Sequence, residues 1–234
     1  MSESTSEHRP IDSTVRVALL RSVIDRGRAP DVRTLAEHLG VDQSDVERSL
    51  DRLEANHAVV LHPGTHSIWL VHPFSLTPTL FYVTQGDRGW WAPCIWCALG
   101  VCTLVGGDTT ITTTLAGETE QITIDTRDDQ VGESSLLAHF PIPAARAWEN
   151  VHRHCACTLV FRLESDIDAW CASHGIARGE IIPLAQVADL AHVWYGDALR
   201  DDWTKPTISE ARQRFESVGL TSEHWQLPVS EERF

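Results

Sequence analysis

The sequence predicts an α+β fold, and three observations carry that expectation. Apolar residues recur at the helical period between Val15 and Leu53; threonine and isoleucine alternate at 110 to 114 and again at 121 to 126, as antiparallel strands require; and the proline-bearing stretch HPFSLTP separates the two regions. The expected division is a three-helix, winged-helix-like module over 1–75 and a thiol-containing α+β domain over 76–234. A hydrophobic share of 42% in 234 residues is enough for a real core.

Taken in order, Val15, Leu19, Leu20, Val23 and Ile24 form the apolar face of a first helix. Asp31 is placed to cap a second, which presents Val32, Leu35, Ala36 and Leu39 and stops at Gly40. Asp42 opens a third, with Val46, Leu50 and Leu53 on one side. Ala58–Leu61, the turn His62-Pro63-Gly64-Thr65, and Ile68–Leu70 read as a hairpin. Beyond the proline stretch, Leu80–Val83 reads as a strand, residues 91 to 105 as a buried helix, and 157 to 161 as a further strand. Helical patterns return at 166 to 173 and 208 to 218, the latter capped by Thr207 or Ser209, with Glu210 in its first turn and Gly219 after its end.

The net charge is −14, with 19 basic and 33 acidic side chains. Phosphate-binding surfaces need excess Lys and Arg, so nucleic acid and anionic membranes are not expected partners. The third helix, DQSDVERSLDRLE, itself holds more acids than bases, against a DNA-reading role. No run approaches the roughly 20 apolar residues of a membrane span, and the polar start MSESTSEHRPID lacks an export signal, so a cytoplasmic protein with reduced thiols is expected.

Among the six cysteines, Cys94 and Cys97 are separated by two residues at the start of an apolar run, where both can reach one atom. Cys155 and Cys157 form a second close pair, and the four together would satisfy a structural zinc site. A redox pair, a soft-metal site for zinc, copper or mercury, and plain buried cysteines are the other readings of such spacing. Cys102 and Cys171 are expected to pack. His152 and His154 flank Cys155 and are expected at the surface, and Trp90, Trp91 and Trp96 are candidate walls of a pocket. Asp108 after Gly106-Gly107 is expected to serve a turn.

The segment WWAPCIWCALGVCTLVG resembles the nucleophile segment of the alkylmercury (organomercurial) lyases, in which an aromatic approach leads to cysteine, two residues, aspartate and an apolar helix. The resemblance extends to HPFSLTPTLFYV, to VHRHCACTLVF and the Asp168-Ala169-Trp170 segment, and to WYGDALRDDW and FESVGLTSEHWQL near the end. It implies protonolysis of a carbon–mercury bond, with Cys94 and Cys155 as mercury ligands and Hg(II) as bound product. It also implies a small organometallic substrate, a thiol or reductase as acceptor of the released metal, and no required cofactor. Two positions depart from the family pattern: Cys97 stands where its proton-shuttling aspartate belongs, and Leu115 where an additional structural cysteine belongs. Cys97 would then pass a proton or become a third ligand, and Cys94, Cys97, Cys155 and Cys157 remain the expected metal-binding set. Two further expectations stand beside the lyase: a non-catalytic or altered-substrate relative that holds a soft metal, and a metal-responsive winged-helix regulator.

Overall fold

The computed structural model describes residues 11–128, 130–132, 134–230, 232 and 234. Three helices come first, α1 (Asp12–Arg26), α2 (Val32–Leu39) and α3 (Gln43–Ala55), followed by strands β1 (Val59–Leu61) and β2 (Ile68–Val71). The Asp31 carboxylate accepts from the Thr34 N–H as the sequence predicts, and Gly27 and Gly40 end their helices in the left-handed conformation that glycine adopts without cost. Asp42 occupies the N-cap of α3, although its side chain makes no cap hydrogen bond.

Strand β3 (Phe74–Ser75) lies inside the proline-bearing stretch and pairs with β2 on one side. Its other side pairs with β5 (Arg88–Ala92), itself joined to β4 (Phe81–Gln85). The sheet therefore runs on across residues 72 to 80, because Pro73 and Pro78 flank the short strand rather than interrupt its ladder. With β6 (Thr109–Thr114), β7 (Gln121–Arg127) and β8 (Gln130–Val131), it forms eight antiparallel strands in the order β1-β2-β3-β5-β4-β6-β7-β8.

A smaller antiparallel sheet is built from β9 (Leu137–Phe140), β10 (Leu159–Phe161) and β11 (Glu180–Pro183), with β9 central. Helix α5 (Val151–Cys157) leads into β10, and α6 (Glu164–His174) leaves it. The stretch expected to be one helix from residue 91 is divided instead. Strand β5 ends at Ala92, Pro93 cannot donate to a ladder, and α4 (Ile95–Val105) starts only after Cys94. Helix α4 is apolar around its circumference and is correspondingly buried, packed between the large sheet and α7 (Leu184–Tyr195). Helix α8 (Ile208–Ser217) then closes on α7, held at its start by a reciprocal cap between Thr207 and Glu210. Among the described residues, no helix is long and apolar enough to cross a membrane.

Candidate thiol site

Cys94 is the last extended residue before α4, and its sulfur accepts a hydrogen bond from the Cys97 N–H at 3.4 Å. A sulfur in the N-cap position faces unpaired amide groups and the positive end of the helix, both of which favour thiolate. Cys97 lies in the first turn, on the same side. Cys155 arrives from α5, a short helix whose start is fixed by the Asn150 side chain accepting from the Arg153 N–H. The three sulfurs lie within 4.8 Å of one another, and all three residues are buried.

Cys157 is not in this group. Two positions along a helix turn a side chain by about 200°, so Cys155 and Cys157 cannot face one ion together, and Cys157 is only half-buried. Cys102 and Cys171 are buried, as expected of packing residues. Cys171 has its own surroundings, with His139 Nε2 at 3.6 Å.

The protons of the cluster are unequally held. Burial opposes a charge on Cys94, yet hydrogen bonds from Cys155 and Cys97 outweigh it and hold that thiol well below its ordinary range. Cys97 is drawn down by Cys155 but driven further up by its bond to Cys94 and by burial; Cys155 is raised by Cys94, by Cys97 and by burial. The cluster thus favours a negative charge on Cys94 over one on Cys97 or Cys155, with two neighbouring S–H groups to stabilise it.

Two further side chains touch Cys97. The Tyr195 hydroxyl lies 3.5 Å from its sulfur, and His72 Nδ1 lies 3.9 Å from it. Burial keeps Tyr195 protonated and pushes His72 down to about 3, so the imidazole is neutral. His72 Nε2 and His154 Nδ1 are buried without hydrogen-bond partners, and both residues line the same cavity as the thiols. His154 thus departs from its expected surface position: one residue before Cys155 on α5, it faces inward at 7% exposure. His152 is exposed and rests against Trp69.

The cavity measures about 70 Å³, room for a small organic group. Its walls are mainly aromatic, supplied by Trp96, Trp148, Trp194, Trp203 and Phe215. Of the three tryptophans expected there, only Trp96 takes part. Trp90 donates its indole N–H to the Val23 carbonyl, and Trp91 stacks on Tyr82. Asp108 serves a turn next to Gly107 and pairs with Arg127. Tyr195, His72, Trp148 and Trp203 carried no local signal in the sequence; only the fold brings them to the sulfurs.

Residues 74–196, just over half of the chain, match the family model described as alkylmercury lyase. The mercury-bound form of MerB2, known from its crystal structure, shares the fold: the TM-score is 0.60 at 22% identity, over 79% of this chain and 89% of that one. No curated protein matches the sequence.

Proposed function

From the premise that this chain belongs to the alkylmercury lyase family, we propose that it cleaves carbon–mercury bonds by protonolysis on Cys94, Cys97 and Cys155. The observation that carries the reading is the cluster itself: three buried sulfurs within 4.8 Å, facing an aromatic cavity, with Cys94 the thiol whose proton is held most weakly. Soft thiolates select soft metals, and the apolar walls suit an organic group attached to one.

The Cys94 thiolate displaces the thiol that carries the organomercurial, giving a Cys94–S–Hg–R adduct. Cys155 then adds its sulfur to mercury while its proton passes to Cys97, and Cys97 gives its own proton to the carbon as the mercury–carbon bond breaks. The hydrocarbon leaves as R–H, and Hg(II) remains between the sulfurs of Cys94 and Cys155. Atoms and charge balance without an added acid. The hydrogen bond between Cys97 and Cys155 supports this relay, since it lies along the path the proton takes. The metal is then released to a thiol or reductase, and the reaction needs no resident cofactor.

Release of benzene from phenylmercury with excess thiol tests the reading. Release that disappears in Cys94→Ser and in Cys155→Ser, and persists in Cys157→Ser, is the expected result; full activity in Cys94→Ser overturns it. A second reading rests on Cys97, which puts a third sulfur where the family has a carboxylate. In it the trio holds mercury, zinc or copper without turnover. Phenylmercury retained uncleaved, or one equivalent of metal surviving a weak chelator, would favour that alternative.

A further inference from the structure

The sulfur cluster is approached from two sides. A helix turns about 100° per residue, so on α5 Val151, His154 and Cys155 share one flank, and His152, Cys155 and Ala156 share the next, with Cys155 on the edge between them. The first flank lines the aromatic cavity. The second lines a separate groove of about 310 Å³. Of the three clustered cysteines, Cys155 alone lines this groove; Cys94 and Cys97 line the aromatic cavity and not the groove.

The groove has a fixed wall and an open rim. Trp69 forms the wall: its indole N–H donates to the Thr77 hydroxyl at 3.1 Å, and its ring stands 4.5 Å from that of His152. Pro78, Leu80 and Ala156 are exposed along the rim, Leu80 by 44%, whereas Cys155 is only 5% exposed. Among the described residues that line the groove none is Asp, Glu, Lys or Arg, while the aromatic cavity has Arg16 and Lys205 in its walls. A wall without charges strips water from an ionic ligand and returns nothing for it, so it favours an uncharged one.

We propose that this groove is the entrance for the acceptor thiol, a small uncharged one, which takes Hg(II) over at Cys155 while the organic group occupies the aromatic cavity. The incoming thiol forms a sulfur–mercury bond as the bond from mercury to Cys155 breaks, and its proton passes to the Cys155 sulfur. Mercury then bridges Cys94 and the new thiol. A second thiol, as thiolate, displaces Cys94 and restores its charge. Mercury stays Hg(II) throughout, and no reductant is consumed. This inference rests on the mercury reading of the thiols, yet it concerns release and not bond cleavage, and it has its own readouts.

The test mixes protein carrying one equivalent of Hg(II) with 2-mercaptoethanol or with glutathione at equal thiolate concentration, and measures the mercury that remains bound after rapid desalting. Leu80→Trp and Ala156→Leu fill the rim from two different walls without replacing a sulfur. Each should slow release to 2-mercaptoethanol about tenfold, since sulfur exchange follows access, and should leave single-turnover release of benzene from bound phenylmercury unchanged. The parent should yield its mercury faster to 2-mercaptoethanol than to glutathione. Parent-like release in both variants overturns the entrance, as does release to glutathione at least as fast, or a benzene step slowed to the same extent. A further readout needs no mercury. In the Cys94→Ser protein, methyl methanethiosulfonate should modify Cys155, identified by peptide mass, and adding Leu80→Trp should slow that modification about tenfold. Absence of modification at Cys155, or modification that Leu80→Trp leaves unchanged, overturns the entrance. If the protein retains no Hg(II), the mercury reading fails, and the labelling still decides whether a thiol reagent reaches Cys155 through the groove.

Discussion

The Tyr195 hydroxyl lies 3.5 Å from the Cys97 sulfur, joining the last residue of α7 to the first turn of α4. Of the groups that act on Cys97, Cys155 and, to a smaller extent, Tyr195 lower its affinity for a proton, whereas Cys94 and burial raise it. Tyr195→Phe keeps the ring and removes that assistance. The expected outcome is a fall in kcat of about tenfold, a fraction of what a positioned acid supplies, with little change in KM and an unchanged fold by circular dichroism. An unaltered kcat would exclude the hydroxyl from the proton path.

Gly100 is what allows this approach. A Cβ at that position would stand 2.3 Å from the Tyr195 ring and 3.1 Å from Pro73, too close for either to remain. Gly100→Ala should therefore lose about 1–3 kcal/mol, as overpacked cores do, and should impair turnover beyond what the lost stability explains, since Tyr195 moves away from Cys97. Denaturant unfolding and initial rates on the same preparation check both parts. Stability lost with full kcat retained would separate the glycine from the site.

Much of this was legible locally. Asp31 with Gly40, and Thr207 with Glu210 and Gly219, mark helix ends through backbone groups a few residues away, and the Thr/Ile alternation marks β6 and β7 because each residue's face follows from its neighbour. Cys94 and Cys97 were legible for the same reason, being separated by only two residues. Helix α7 was not read, although Leu184, Val187, Ala188, Ala191 and Tyr195 stand at helical spacing, and with it Tyr195 was missed. Arg16 and Lys205 lie 189 positions apart in the sequence, and only the packing of α1 against the segment after α7 gives them one cavity. No local pattern records such a meeting.

The unequal protons of the cluster set a pH dependence. Folded Cys94 has lost its proton where the unfolded thiol, at about 8.5, still holds it, so unfolding takes up a proton and this group's stabilisation is lost as pH falls through the folded value. Cys97 and Cys155 act oppositely: their folded values are raised, so their contribution is present below the ordinary thiol range and is lost as pH rises above it. Stability arising from the three should peak near the ordinary thiol range. Cys94→Ser should flatten the acid side and weaken the alkaline one, since Cys94 is what raises Cys155 and helps to raise Cys97, and should also remove the thiolate absorbance expected at neutral pH.

Lys205 adds a slope of definite sign. Its folded value of about 6 lies below its ordinary 10.5, so between those limits the unfolded chain binds the extra proton and stability rises with pH, by up to about 1.4 kcal/mol per unit. Lys205→Met should be more stable than the parent at pH 6, and the difference should shrink toward pH 10. A constant difference across that range, measured by denaturant unfolding, would show that burial does not hold the amine neutral.

The most direct trial of Cys97 is Cys97→Asp, which supplies the carboxylate that the sequence resemblance implies for this position in the family. The new side chain would sit where Tyr195 and His72 already approach the present sulfur at 3.5 Å and 3.9 Å, so hydrogen-bond partners are at hand. Beside the Cys94 thiolate and buried, a carboxyl group is pushed upward and keeps its proton, as an acid poised for delivery must. It remains a stronger acid than a thiol raised above its own ordinary range, and the barrier to protonating carbon falls accordingly. Release of benzene from phenylmercury should rise by about tenfold or more, and a third sulfur would no longer compete for Hg(II), so product release should quicken as well. If the parent protein is active and the substitution lowers the rate, Cys97 contributes something a carboxyl group cannot, and its role is that of a ligand to mercury and not of a donor to carbon.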